Sequence, residues 1–386
     1  MKIAMVGLRG VPANHGGVER HVEELGAVLV ERGHEVTVYC RAPYFPLRPA
    51  EHRGMRLAYL PSPTARAVES AVHSPLAALA ALRCDYDVVH YHALGPTLFS
   101  PITRLSRRTA VVATVQGLDY QRDKWGPVAR AVLRGGERAS VRIPDEVITV
   151  SHALREHYLR HLGRPATAIP NGVSSALQHI DGVPQVRAVG LEPGGYVLQA
   201  GRLVPEKRTD LLLAAYAGLR TDLPLVIAGG SSHTTSYVDK VHRVAAADPR
   251  VCLLGAVPTE TVAALCRHAA VTVHPSALEG LPLTLLEALA TGAPVVASDI
   301  APHVEVLGQS GPGHRLFGTD DQAALAATLG EALLDPAGER RAAAPLQRQV
   351  LARYSWPVVA AATEAVYERA VARRGSRLAP RRLATR

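Results

Sequence analysis

Apolar and polar positions along this chain fall into two alternating patterns. Short, almost wholly apolar runs predict strands buried on both faces. Longer stretches with an apolar residue every third or fourth position predict helices with one face in a core. Strands are predicted over residues 2–6, 35–40, 56–60, 88–91, 111–115 and 147–150, and helices over 18–32 and 153–161. Between 171 and 195 the periodicity fades and Gly, Ser, Pro and Asp accumulate, which marks a domain boundary. The pattern restarts with strands over 196–200, 224–228, 251–254 and 271–273 and helices over 209–219, 237–247 and 260–268. The run HPSALEGLPLTLLEALATGAPVVAS, 274–298, then reads as loop, helix (283–291), turn and strand (295–297). Helices over 321–334 and 356–372 end the folded part. Strands alternating with helices predict two α/β units, each a mainly parallel sheet covered on both faces.

Length and composition fit this picture. The chain has 386 residues, 47% hydrophobic and 20% charged, enough for two cores. Cys40, Cys84, Cys252 and Cys266 form no CxxC pair and read as reduced, buried thiols. The start reads as a strand rather than a signal peptide, and no apolar run reaches membrane-spanning length. The expected location is cytoplasmic, soluble or peripheral to the inner membrane face. The net charge of +9 is uneven. Residues 1–185 carry 22 Lys and Arg against 16 Asp and Glu, residues 186–372 carry 15 against 18, and residues 373–386 hold six Arg and no acid. A basic first half suits an anionic acceptor or an anionic lipid surface. The tail 373–386 is expected to be disordered. Aromatics are only 4%, so the charge lacks stacking partners and nucleic acid is not expected.

In doubly wound sheets ligands sit outside the carboxyl ends of strands, so post-strand loops carry the candidate chemistry. In 7–17, Gly16 and Gly17 open a helix, where backbone N–H groups can approach an anion. Neither GxGxxG nor GxxxxGK is present. In AGRLVPEKR, Arg202 and Lys207 suit a diphosphate; the plainer alternative is a surface salt bridge to Glu206. In 274–298, Glu279 precedes the helix and Glu287 lies inside it, where an apolar setting makes a carboxylate costly without a partner. Glu287 can accept two ribose hydroxyls, and the Gly280 and Leu281 amides lie between the glutamates. After 111–115, Gln116, Asp119, Arg122 and Lys124 form a polar cluster. His90 and His92 alternate on one strand and so share a face. No third ligand is suitably spaced, so no metal site is expected.

The stretch PSALEGLPLTLLEALATGAPVVAS resembles the E-x7-E motif of the retaining, two-domain GT-B glycosyltransferases of family four. GRLVPEK resembles their diphosphate loop, IPNGV their interdomain segment, and VGLRGVPANHGGVERHVEEL a bacterial branch of rhamnosyl- and hexosyltransferases of polysaccharide assembly. The resemblance spans roughly residues 1–372. It implies two Rossmann-like domains facing across a cleft: an acceptor domain 1–180, a nucleotide-sugar domain 186–355, and a helix 356–372 crossing back to the first. It also implies roles. Glu279 contacts the donor sugar and is catalytic with Gln116. Arg202 and Lys207 hold the diphosphate, Glu287 the ribose, and Gly280 and Leu281 offer amides to sugar hydroxyls. Gly16 and Gly17 close over the diphosphate. Asp119 and His92 are acceptor candidates. Relatives usually have His where Gln116 stands; Gln keeps a neutral hydrogen bond but cannot carry a proton charge.

The implied function is retaining transfer of a hexose-type sugar from a nucleotide sugar, UDP-linked by expectation. The acceptor hydroxyl would belong to a polysaccharide, glycolipid or natural product. No metal or other cofactor is expected. Glycosylation of an aminoglycoside-type antibiotic is one alternative. A non-catalytic sugar-nucleotide-binding protein, suggested by Gln116, is another.

Overall fold

A computed structural model describes residues 1–13, 16–64, 68–122, 125–230 and 235–378. Lys124 and residues 379–386 lie outside the described residues. The chain forms two compact units: residues 1–121, 125–172 and 356–386, and residues 122–124 and 173–355. The cut at Gly172 gives residues 173–180, expected in the first domain, to the second unit.

The first unit holds strands β1 (Lys2–Val6), β2 (Glu35–Arg41), β3 (Glu51–His52), β4 (Met55–Leu60), β5 (Val88–His92), β6 (Ala110–Val115), β7 (Glu146–Thr149) and β8 (Thr167–Ala168). Their order is β3-β4-β2-β1-β5-β6-β7-β8, with only the β3–β4 pair antiparallel. β5 and β6 are buried along their whole length, as central strands of a parallel sheet are. The helix Trp356–Leu378 belongs to this unit and packs on the helix Gly17–Glu31. Arg32 Nε and His34 Nε2 each lie 2.9 Å from a carboxylate oxygen of Glu364, and the Tyr367 hydroxyl lies 2.8 Å from His90 Nδ1. That helix runs past 372, the end set by sequence. The Arg374 guanidinium donates to the Ser106 carbonyl and Arg373 Nη1 to the Asp145 carbonyl, so 373–378 is ordered helix rather than tail.

The second unit holds β9 (Val197–Ala200), β10 (Leu225–Ala228), β11 (Val251–Gly255), β12 (Val271–His274), β13 (Val295–Ser298) and β14 (His314–Phe317). The order is β11-β10-β9-β12-β13-β14, parallel throughout. The helix Leu283–Ala290 buries Leu285, Leu286 and Leu289, at about 2 kcal/mol each. That anchorage fixes where Glu287 points. The segment 171–195, expected to be irregular, contains a short helix Val183–Ala188.

Candidate active site

Each sheet has one place where the strand order reverses direction. In the second unit the chain runs outward from β9 through β10 to β11, then returns to β12 and runs the other way. The crevice between the carboxyl ends of β9 and β12 is therefore the expected ligand position. The loop after β9 carries Arg202 and Lys207, and the loop after β12 carries Ser276 and Glu279. Two sequence-distant candidates thus meet at the switch point. Gly229, after β10, lets the neighbouring backbone come close: a Cβ there would lie 1.7 Å from the Gly201 carbonyl oxygen, so only glycine lets the loops after β10 and β9 touch.

Lys207 Nζ lies 2.5 Å from Glu279 Oε1, and Ser276 Oγ donates to the same oxygen at 2.9 Å. Burial alone would raise the Glu279 carboxyl. The Lys207 ammonium and its hydrogen bond outweigh it and hold the group below the ordinary carboxylate range. The alternative partner for Lys207, Glu206, is instead paired with Arg122 at 3.2 Å. Arg202 is half-buried on the same loop, and Gly280 and Leu281 are buried just before the helix Leu283–Ala290. Among the described residues no side chain caps that helix, so its first-turn amides remain hydrogen-bond donors. Glu287 is buried within the helix.

A polar chain behind Glu279 escaped the sequence reading. His303 is fully buried, and its Nδ1–H donates to the Ser298 carbonyl at 3.0 Å. Ser298 Oγ donates to the Ser276 carbonyl at 2.5 Å, and Ser276 reaches Glu279. Burial lowers His303 to about 4 and His274, whose ring stands edge-on to it, to about 3. Both imidazoles are neutral near pH 7. The available signal was Ser298 closing an apolar strand and His303 following five residues on.

In the first unit the strand order reverses between β1 and β5. The loop after β1 leads through Gly16, in extended backbone, into the helix beginning at Gly17. Glu19 sits in the first turn of that helix and accepts the Arg9 N–H at 3.0 Å, so some negative charge already occupies this helix end. Gln116 follows β6, and its Nε2 is buried with no hydrogen-bond partner among the described residues. Asp119 is half-buried in the short turn Asp119–Gln121. His90 and His92 do share a face, with ring centroids 4.1 Å apart. His92, expected near an acceptor, is a correction: it is completely buried, its Nε2 3.4 Å from Met5 Sδ, because β5 is central in the sheet. Among the described residues no group of three or more His, Cys, Asp or Glu is placed to hold a metal ion. Cys40 and Cys266 are buried thiols as expected, but Cys84 is exposed. Among the described residues no helix is long and apolar enough to cross a membrane.

Comparison with known proteins gives the family. Residues 15–177 match the model described as Glycosyltransferase Family 4, and residues 187–347 match Glycosyl transferases group 1. The chain is 31% identical to the phosphatidyl-myo-inositol mannosyltransferase of Mycobacterium leprae, over 94% of this chain and 95% of that protein. It is 29% identical to the MMP alpha-(1->4)-mannosyltransferase of Mycolicibacterium hassiacum, over 97% and 99%. Among solved structures, sucrose-phosphate synthase of Thermosynechococcus elongatus matches with a TM-score of 0.82 at 24% identity, covering 96% of this chain and 99% of that one. HepE of Anabaena, in complex with UDP and glucose, matches with a TM-score of 0.80 at 19% identity, covering 95% and 99%. These neighbours share the GT-B fold.

Proposed function

This chain belongs to glycosyltransferase family 4, group 1, and on that premise we propose that it transfers a hexose from a nucleotide sugar with retention of anomeric configuration. The observation that carries this reading is the Lys207–Glu279 pair at the switch point of the second sheet, with Arg202 on the same loop. A leaving nucleoside diphosphate develops negative charge as the bond to the anomeric carbon breaks. Arg202 and Lys207 stabilise that charge without a metal ion, and the Gly280 and Leu281 amides meet the sugar hydroxyls. Glu279, kept ionised by Lys207, faces the positive charge that develops on the sugar. Glu287 takes the ribose hydroxyls, and Gln116 offers the sugar or its phosphate a neutral hydrogen bond. The acceptor oxygen bonds to the anomeric carbon on the face the diphosphate leaves, and the departing phosphate oxygen takes the acceptor proton. Gly16 and Gly17 supply further amides, and Asp119 an acceptor contact.

UDP is the first donor to test, because a neighbour of the same fold was crystallised with UDP and glucose. GDP-mannose ranks beside it, because a 31%-identical relative is named as a GDP-mannose-dependent mannosyltransferase. The basic first half of the chain favours an anionic, lipid-linked acceptor. The helix Pro127–Arg142 adds to this, with Arg134, Arg138 and Arg142 exposed beside Val128 and Val132. Such a surface would hold the protein at the inner membrane face. A polycationic aminoglycoside fits that charge less well.

The experiment is a thermal-shift screen of UDP-, GDP- and dTDP-sugars, followed by turnover of the binding donor with an acceptor panel. Stabilisation by one donor and a product with the donor's anomeric configuration support the reading. Inverted product overturns retention. Tight donor binding with neither transfer nor hydrolysis favours the binding-protein alternative.

A further inference from the structure

A cavity of about 400 Å³ opens in the second unit and is lined by Gly194, Arg267, His268, Gly292, Arg340 and Gln347. It adjoins the carboxyl-terminal end of the helix Leu283–Ala290, whose other end carries Gly280 and Leu281. Arg267 Nη1 donates to the Thr291 carbonyl at 2.9 Å, Arg340 Nη1 to Gly292 at 3.2 Å, and Gln347 Nε2 to Ala290 at 2.8 Å. Arg340 Nη2 also donates to the Ala269 carbonyl, at 2.6 Å, just past the end of the helix Thr259–His268.

Capping explains why donors stand here, but not why two of them carry full charge. Two helix ends meet at this cavity, each worth about −0.5 charge. Two guanidiniums bring two positive charges, and neither has a carboxylate partner among the described residues. About one positive charge is left uncompensated. Gln347 shows that a neutral amide serves the same capping purpose. Burial, and next to it the charge of Arg267, lower the pKa of Arg340, so the two cations work against each other. The three carbonyl bonds leave most of the guanidinium N–H groups without a protein partner among the described residues.

We propose that this cavity binds a phosphate monoester, held between Arg267 and Arg340. Such a group carries −1.5 to −2 charge near neutral pH and matches the guanidinium fork geometry. The volume lies within the range of small-ligand sites, about 300–1,000 Å³, and accommodates a phosphate with a sugar ring attached. The occupant is a second ligand, separate from the donor diphosphate assigned to Arg202 and Lys207.

The test is isothermal titration of the full chain with glucose 6-phosphate and, separately, inorganic phosphate. Three variants accompany it: Arg267→Gln/Arg340→Gln, Gly194→Asp and Lys207→Ala. The first removes the charge while leaving an amide donor at each position. The second leaves the caps intact and adds a carboxylate at the rim, where a side chain meets open space and Asp tolerates the left-handed backbone better than most residues. Circular dichroism confirms that each is folded. The expected result is one site in the wild type, weakened about ten-fold or more in the first two variants and unchanged in Lys207→Ala. Tighter binding of glucose 6-phosphate than of phosphate assigns the ligand as a sugar phosphate; equal binding assigns the phosphate alone. No binding by the wild type at millimolar ligand overturns the proposal. So does binding lost only in Lys207→Ala, or unchanged in both Gly194→Asp and the double variant.

Discussion

Lys207 Nζ and Glu279 Oε1 are 2.5 Å apart, joining the loop after β9 to the loop after β12. The lysine keeps the glutamate ionised below the ordinary carboxylate pKa despite its burial. Replacing Lys207 by Met leaves that carboxylate without its counter-charge, and desolvation then raises its pKa. The acid limb of the pH–rate profile is therefore expected to move to higher pH in Lys207→Met. An acid limb at the wild-type position separates Glu279 ionisation from activity.

Glu279→Gln keeps the shape and the Ser276 contact but removes the charge. Turnover is expected to fall about 100-fold or more, the size typical of losing one preorganised charge-stabilising group. Donor affinity changes far less. Steady-state kinetics beside equilibrium donor binding separates the two effects. A loss confined to binding would place Glu279 outside the chemistry.

The first unit carries a pH dependence of its own. His21 is lowered to about 4 and His90 to about 3, both by burial, and His92 lies well below its ordinary value. Below pH 6.5 the unfolded chain binds protons that these folded imidazoles refuse. Stability is therefore complete above that pH and falls on acidification toward the folded pKa values. Each such histidine costs about 1.4 kcal/mol per pH unit in that window. His90→Gln is expected to flatten the dependence of Tm on pH between 6.5 and 4. The check is a set of melting curves across that range; an unchanged slope contradicts it.

Gln116 Nε2 is buried without a hydrogen-bond partner among the described residues, at the position where the family resemblance leads one to expect His. Gln116→His is expected to keep or raise turnover with the same donor, and Gln116→Ala to lower it. Complete loss of turnover in a folded Gln116→His protein would mark the amide as a specific adaptation of this chain.

Much of this site was legible because its signals are local. The run 274–298 reads as loop, helix, turn and strand, and the structure gives the helix Leu283–Ala290 and the strand Val295–Ser298. The loop carrying Arg202 and Lys207 was legible for the same reason. What sequence could not decide was partnership. Glu206, the immediate neighbour of Lys207, takes Arg122, while Lys207 takes Glu279 from another strand. That choice follows from β9 lying beside β12, which is a property of strand order. The chain His303–Ser298–Ser276 was hidden similarly, because two of its links run through backbone carbonyls. The helix Pro127–Arg142 was missed because four arginines and Gly135–Gly136 dilute its apolar period. A Cβ at Gly136 would lie 2.1 Å from the Leu94 carbonyl oxygen, so that glycine serves close packing at the expense of local helix preference. The helix Pro336–Arg353 was hidden by Pro345 within it.

The most direct measurement is calorimetric titration of the nucleotide sugar selected by thermal shift into wild-type, Lys207→Ala and Glu287→Ala protein. If the β9–β12 crevice is the donor site, each substitution removes a charge-assisted contact and raises the dissociation constant by about ten-fold or more. Unchanged donor affinity in both variants, with melting curves showing an intact fold, would contradict the assignment.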